Sequence, residues 1–270
     1  MRLPALRGVI RRRVLVNFRV DPRVMQHQLR PPFRPKLVDS GAIAGICLIR
    51  LEQLRPGRVP ARFGMSSDNA AHRIAVTWTE ASNHPRDGVY IPRRDTASRV
   101  TALSGGRLFP GEHQPVRFSG REGATSIDLT MHSLDGTADV RLRAHATDRL
   151  PSTSCFRSLD AASAFFLAGS VGYSATRDRG RLDGLELRTA VWHVEPLHVE
   201  SVYSRYQSGT AAGDPATGCH SCGTFRITSA ESNAILPGRE PLWIGDRWRP
   251  RRVRPAPGDH CLAPRHHRAR

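Results

Sequence analysis

Lysine is almost missing from this chain of 270 residues: Lys36 is the only one, so arginine supplies nearly all of the 41 Lys and Arg side chains. Side-chain amine chemistry is therefore confined to one position. Long apolar runs are missing too. The longest, residues 42–49, is interrupted by Gly45 and falls well short of the roughly 18 residues that read as a membrane-spanning helix. Five cysteines are an odd number without framework spacing, which argues against a disulfide-built fold. No G-x-S-x-G elbow, no G-x-G-x-x-G after a strand and no P-loop is present, so serine-hydrolase and nucleotide-cofactor readings have no support, and no cofactor is expected.

What the chain has in excess is positive charge, +17 at neutral pH. Five arginines in residues 1–13, and eight against the single acid Asp259 in residues 247–270, account for most of it. A nucleic-acid face interleaves basic and aromatic residues on an ordered surface, and these ends do not. Residues 1–20 carry charge on both sides of few apolar residues and lack the apolar stretch of a secretory signal, so a cytoplasmic location is expected. The pair Cys219 and Cys222 with His220 offers soft ligand types, but a second correctly spaced pair is absent and no metal is expected. The oligomeric state leaves no trace in the sequence.

Along the chain, residues 14–20 (VLVNFRV) alternate as a strand. Asp21 and Pro22 then suit the start of a short helix. Residues 42–51 suit a strand covered on both faces. In residues 72–79 (HRIAVTWT), Arg73, Ala75, Thr77 and Thr79 share one face and His72, Ile74, Val76 and Trp78 the other. Residues 83–88 supply turn chemistry, and 89–91 return as a partner strand. Asp95 is positioned to cap a helix running to Thr101. Further strands are expected at 116–118, 126–132, 138–145, 172–176, 184–189, 191–194 and 197–203. A helix capped by Ser158 spans the segment SLDAASAFFLAG. Cys155, Phe156, Phe165, Phe166 and Trp192 read as core. From about residue 208 the periodicity vanishes.

Many short strands with few helices describe a mainly β, α+β domain, a barrel or sandwich. The expected organisation is a basic N-terminal extension over 1–12, a β domain over 13–205, and an Arg/Pro-rich, poorly ordered tail over 206–270. With these elements placed, the segment from Ser158 to Tyr203 resembles the bacterial family catalogued as domain of unknown function 2071. Residues 14–118 resemble it as well, through VNFRVDPRVMQHQLRPPF, DNAAHRIAVTW and GVYIPRRDTASRVTALSGGRLFPGEH. That family is similar in fold to acetoacetate decarboxylase, so the resemblance implies an antiparallel acetoacetate decarboxylase-like barrel.

The related decarboxylases form a Schiff base through a buried lysine, and the segment GRLFPGEH that resembles their lysine-bearing loop holds none. Lys36, between Pro35 and Leu37, reads as an exposed lysine at a strand entry. The family continues with further strands where this chain turns Arg/Pro-rich, which suggests a frameshifted or diverged end. If the strands close into a barrel, Asn69, His72, Arg73, Arg93, Arg94 and Arg107 converge at one mouth with Glu112 and His113. Guanidinium groups there would hold a carboxylate bidentately, and an imidazole would move protons. The leading expectation is a small anionic or carboxylate ligand without Schiff-base chemistry. An alternative is a lysine-independent lyase- or hydrolase-like enzyme using Glu112 or His113. A weaker alternative is nucleic-acid binding through the basic tail.

Overall fold

The period-2 pattern of residues 72–79 belongs to a strand of 15 residues, Met65–Thr79, at the centre of a four-stranded antiparallel wall. The computed structural model describes residues 6–80, 83–105, 111–176, 181–188, 192–206, 220–228, 233–237 and 242–243. In chain order the strands are β1 (Leu6–Val20), β2 (Arg34–Pro35), β3 (Leu37–Val38), β4 (Gly41–Pro56), β5 (Met65–Thr79), β6 (Pro85–Thr96), β7 (His113–Glu122) and β8 (Ser126–Ser133). They continue with β9 (Val140–Ala146), β10 (Val171–Ala175), β11 (Arg181–Arg188), β12 (His193–Ser204), β13 (His220–Thr228), β14 (Asn233–Pro237) and β15 (Leu242–Trp243). The helices are α1 (Pro22–Gln28), α2 (Arg99–Ser104) and α3 (Leu159–Ala168). No helix among the described residues is long and apolar enough to cross a membrane.

The wall is β1–β4–β5–β6, and each of its outer edges is shared by two strands. On β1, residues Leu6 to Gly8 pair with β14, and Val14 to Arg19 pair with β13. On β6, Val89 to Ile91 pair with β10, and Arg94 to Thr96 pair with β7. Two closed circuits follow. One runs β1–β4–β5–β6–β10–β11–β14 back to β1. The other runs β1–β4–β5–β6–β7–β8–β9–β12–β13 back to β1. Closure leaves few open edges on the long strands.

Because strand side chains alternate, the wall has two working faces. Val14, Val16, Ile46, Leu48, Ile74, Val76 and Trp78 enter one core cluster with Ile127, Met131, Leu142 and Leu197. Leu15, Ile43, Cys47 and Ala75 enter a second with Phe156, Phe166, Phe225 and Ile227. The sequence expectation that Cys155, Phe156 and Phe166 are core holds, and so does a β4 covered on both faces. Phe165 and Trp192 pack partly buried on the same cluster.

Helix starts follow local chemistry. The Asp21 carboxylate accepts from Arg23 N at 2.7 Å, and Ser158 Oγ accepts from Ala161 N at 3.1 Å. Asp95 does not cap α2. Ser98 does, accepting from Thr101 N at 3.2 Å, while Asp95 lies fully buried in β6. A hydroxyl at the helix's own N-terminus wins because the Asp95 carboxylate is already bound by a histidine and an arginine.

Both ends contribute more than their composition implies. β1 begins at Leu6, inside the expected basic extension, and Arg12 is buried against Asp68 at 2.6 Å and Glu122 at 3.1 Å. Beyond residue 206, β13 pairs with β1 and β12 and buries Cys222, Phe225 and Ile227. Residues 244–270, which hold the tail arginines, Cys261 and the late histidines, lie outside the described residues, as does Cys219.

Candidate functional site

The face of the wall that carries Leu15, Cys47 and Ala71 borders a cavity of about 160 Å³. Its apolar lining comes from Ile49, Leu51 and Leu54 on β4, Val89 and Ile91 on β6, and Leu187 on β11. Its polar lining includes Arg13 on β1, Asn69 and Arg73 on β5, Arg94 on β6 and His113 on β7. An apolar cavity with a few convergent polar groups is the usual form of a small-molecule site.

Strand register explains this convergence. Across the wall, Asn17 faces Gly45 and Gly45 faces Arg73, so no side chain stands between the asparagine and the arginine. Arg73 Nη2 donates to Asn17 Oδ1 across that gap. Asn17 is fully buried and is held by donating its Nδ2 to the carbonyls of Gly223 at 2.9 Å and Leu15 at 3.3 Å. On β6 the register shifts between the pairs His72–Arg93 and Ile74–Tyr90, which inserts one extra residue on the β6 side. Such a bulge changes which residues face a given side, and it puts Arg94 on the same cavity as Val89 and Ile91.

Arg94 Nε donates to Ser174 Oγ on β10 at 2.7 Å. Gly111 sits against that serine at φ +75, where a Cβ would come within 2.6 Å of Ser174 Cβ. The glycine's N–H donates to Asp183 at 3.2 Å, and its carbonyl lies 3.2 Å from His113 Nδ1. A carbonyl only accepts, so the proton of the neutral ring sits on Nδ1 and Nε2 is unprotonated. Burial, with Arg94 nearby, pushes the His113 imidazole down to about 3 and keeps it neutral at physiological pH.

Charge at the cavity is poorly compensated. Burial pulls Arg73 and Arg94 down to about 10, which leaves both cationic at neutral pH. Arg73 Nε and Arg94 Nη2 have no hydrogen-bond partner among the described residues. Each guanidinium also feels the Cys47 sulfur, a buried free thiol on the cavity wall. A larger groove of about 530 Å³ along Trp78, Glu80, Arg86, Tyr173, Glu186 and Arg188 differs in this respect. Its arginines are already paired, Arg86 with Glu80 and Arg188 with Glu186, both at 3.0 Å.

Of the residues expected at one mouth, the structure brings Asn69, Arg73, Arg94 and His113 to this cavity. Asn69 is itself satisfied there, donating to Ser67 Oγ at 2.9 Å and accepting from Thr96 Oγ1 at 2.8 Å. His72 and Arg93 take the opposite face. His72 Nε2 meets Asp95 Oδ2 at 3.1 Å, and Arg93 joins Asp95 at 2.8 Å to Asp135 at 2.9 Å. Period-2 alternation separates neighbours such as His72 and Arg73, and these two cannot share a pocket. Glu112 is exposed and does not line the cavity, and Arg107 lies outside the described residues. Arg94 and Asp95 are not a surface pair, since Asp95 is engaged by His72 and Arg93. Sequence reasoning missed Arg13, Asn17, Cys47 and Ser174. The available signal was Asn17 alone among the apolar residues 14–18.

Lys36 is elsewhere. Its Nζ pairs with Asp87 at 2.7 Å and lies 4.7 Å from the Phe165 ring centre. No group of three or more metal-ligating side chains occurs among the described residues.

The double-ringed sheet with its few short helices is the acetoacetate decarboxylase-like fold. The chain is similar to an acetoacetate decarboxylase-like enzyme from Sphingomonas wittichii RW1, with a TM-score of 0.56 and 13% identity over 89% of this chain and 94% of that one. It is also similar to acetoacetate decarboxylase from Legionella pneumophila, with a TM-score of 0.52 and 11% identity over 91% of this chain and 89% of that one. The enduracididine biosynthesis enzyme MppR, complexed with pyruvate, gives a TM-score of 0.53 and 13% identity over 91% of this chain and 92% of that one. At such identities the likeness is one of fold. No family model matches the chain, and no curated protein does.

Proposed function

We propose that this chain belongs to the family of domain of unknown function 2071 and binds a small carboxylate in the cytoplasm, without forming a Schiff base. The observation that carries the reading is the pair Arg73 and Arg94. Both are cationic on one cavity wall, both keep a sealed N–H without an acceptor among the described residues, and neither is ion-paired to a described carboxylate. A buried, unpaired guanidinium is expensive, and an anionic ligand offsets that cost. A protein of the same fold, MppR, is known with pyruvate, itself a small carboxylate. Against imine chemistry stands Lys36, whose amine is ion-paired away from the cavity. Three buried free cysteines fit a reducing compartment.

The test is a thermal-shift panel of small carboxylates against the native chain, Arg73→Ala and Arg94→Ala. Binding should raise the melting temperature of the native chain and not of the variants. Equal shifts in all three sink the proposed site. Borohydride trapping with 2-oxo acids should leave no adduct on Lys36.

A second reading keeps the cavity and adds catalysis without lysine. Its support is His113, an imidazole on the cavity wall that is neutral there and would take up a proton only once a bound anion offsets the field of Arg94. Turnover of a carboxylate substrate that disappears in His113→Gln while binding persists would establish it.

A further inference from the structure

The carboxylate reading leaves one cation unexplained. Arg13, only 9% exposed, lines the same cavity from β1. Its guanidinium stacks 5.4 Å from the Trp192 ring centre, its Nε has no hydrogen-bond partner among the described residues, and no described carboxylate pairs with it. Arg13 is close enough to Arg73 to disfavour the charge on Arg73. Two like charges facing one small apolar space are unfavourable unless something negative lies between them.

The charges at the wall do not balance. Arg94 has Asp183 within electrostatic reach, an acid that Gly111 fixes in place. His113 is neutral, and Asp95, though it borders the cavity, gives its carboxylate to His72 and Arg93. That leaves two positive charges, Arg13 and Arg73, without an acid among the described residues. Their strand positions are separate. Arg13 faces Ile49 and Asn69 across the wall, whereas Arg73 faces Gly45 and Asn17, with the row of Leu15, Cys47, Ala71 and Arg94 between them. Alternate residues on a strand are about 7 Å apart, so the two guanidinium groups approach from different rows rather than forming one clamp.

We infer that the cavity selects a dianion, a dicarboxylate of four or five carbons. One carboxylate sits on Arg73 and Arg94 and the other on Arg13. A cavity of about 160 Å³ suits that length, since a space of roughly 150 Å³ accommodates benzene. The Ile49, Leu51, Val89, Ile91 and Leu187 side chains provide the apolar surface for the methylenes. This inference rests on the carboxylate reading above and adds to it a second anchor and a ligand class.

Isothermal titration of the native chain with butyrate, succinate and glutarate tests it. Succinate or glutarate should bind at least about tenfold tighter than butyrate. In Arg13→Gln that preference should vanish while butyrate affinity stays within about twofold; Arg94→Gln should weaken all three acids. If butyrate binds the native chain as tightly as the diacids, the second anchor is wrong and the carboxylate reading survives. If no acid binds, both fall. Should Arg13→Gln fail to fold, the preference in the native chain still decides, and Arg13→Lys, which keeps the charge, should retain it.

Discussion

His72 Nε2 and Asp95 Oδ2 are hydrogen-bonded at 3.1 Å with no solvent exposure on either side chain. Asp95 also accepts from Arg93, which bridges to Asp135. Removing one member of a buried pair leaves the other uncompensated, which costs about 3–5 kcal/mol. Asp95→Asn should lower unfolding stability by about that amount in urea titration. Because the Asp95 carboxylate, though it borders the cavity, is turned to His72 and Arg93, carboxylate affinity measured below the denaturation midpoint should change little.

The buried His72 and the half-buried His113 both couple stability to acid. Burial lowers the pKa of His72 and takes that of His113 from 6.5 down to about 3. In that interval the unfolded imidazole binds a proton that the folded one refuses, so stability is complete above about pH 6.5 and declines as the pH drops. For His113 alone the slope reaches up to ~1.4 kcal/mol per pH unit. Denaturation between pH 7 and 4 should show this fall, and His113→Gln should flatten part of it. A flat native profile contradicts the burial of both rings.

Two glycines at positive φ separate steric crowding from backbone strain. At Gly111, with φ +75, an added methyl group would meet Ser174 Cβ at 2.6 Å, while at Gly136, with φ +67, it would meet nothing within 4 Å. Gly136→Ala should cost about 1 kcal/mol of strain. Gly111→Ala should cost about 1–3 kcal/mol more, because it also pushes on the serine that holds Arg94. Carboxylate binding should weaken in Gly111→Ala alone.

Cys47 reports on the cavity's field. Its thiol is free and lies beside Arg73 and Arg94. An anionic alkylating agent is drawn to such a place, whereas a neutral one is not. Peptide mapping should find that the rate ratio of iodoacetate to iodoacetamide at Cys47 exceeds the ratio for a free thiol in solution by about tenfold. A bound carboxylate should protect the thiol.

Much of the architecture was legible in residues 14–203. Alternation in VLVNFRV and HRIAVTWT announced β1 and β5, and the Ser158 and Asp21 caps were readable from residue type. The two ends were not. Arg12 and Arg13 look like a solvated basic run until Asp68, Glu122 and the cavity are seen around them, and those neighbours come from distant strands. Within β13, CGTFRIT alternates well enough for a strand, but its surroundings of Gly, Pro and Arg hid the pattern. The site was legible by halves. Arg73 and Arg94 were expected together and do line one cavity, whereas His72 and Arg93 were expected beside them and do not. The division follows from adjacent residues pointing to opposite faces and from a bulge in β6 that no local motif reveals.

The pairing of β1 with β13 joins Val14 to Arg226, and the pairing with β14 joins Leu6 to Ile235. During synthesis, the first strand must therefore wait with one edge open while more than two hundred residues emerge after it. Since the two circuits close only through those late partners, a ribosome still carrying them holds a chain whose Arg13 has no enclosed chamber to face.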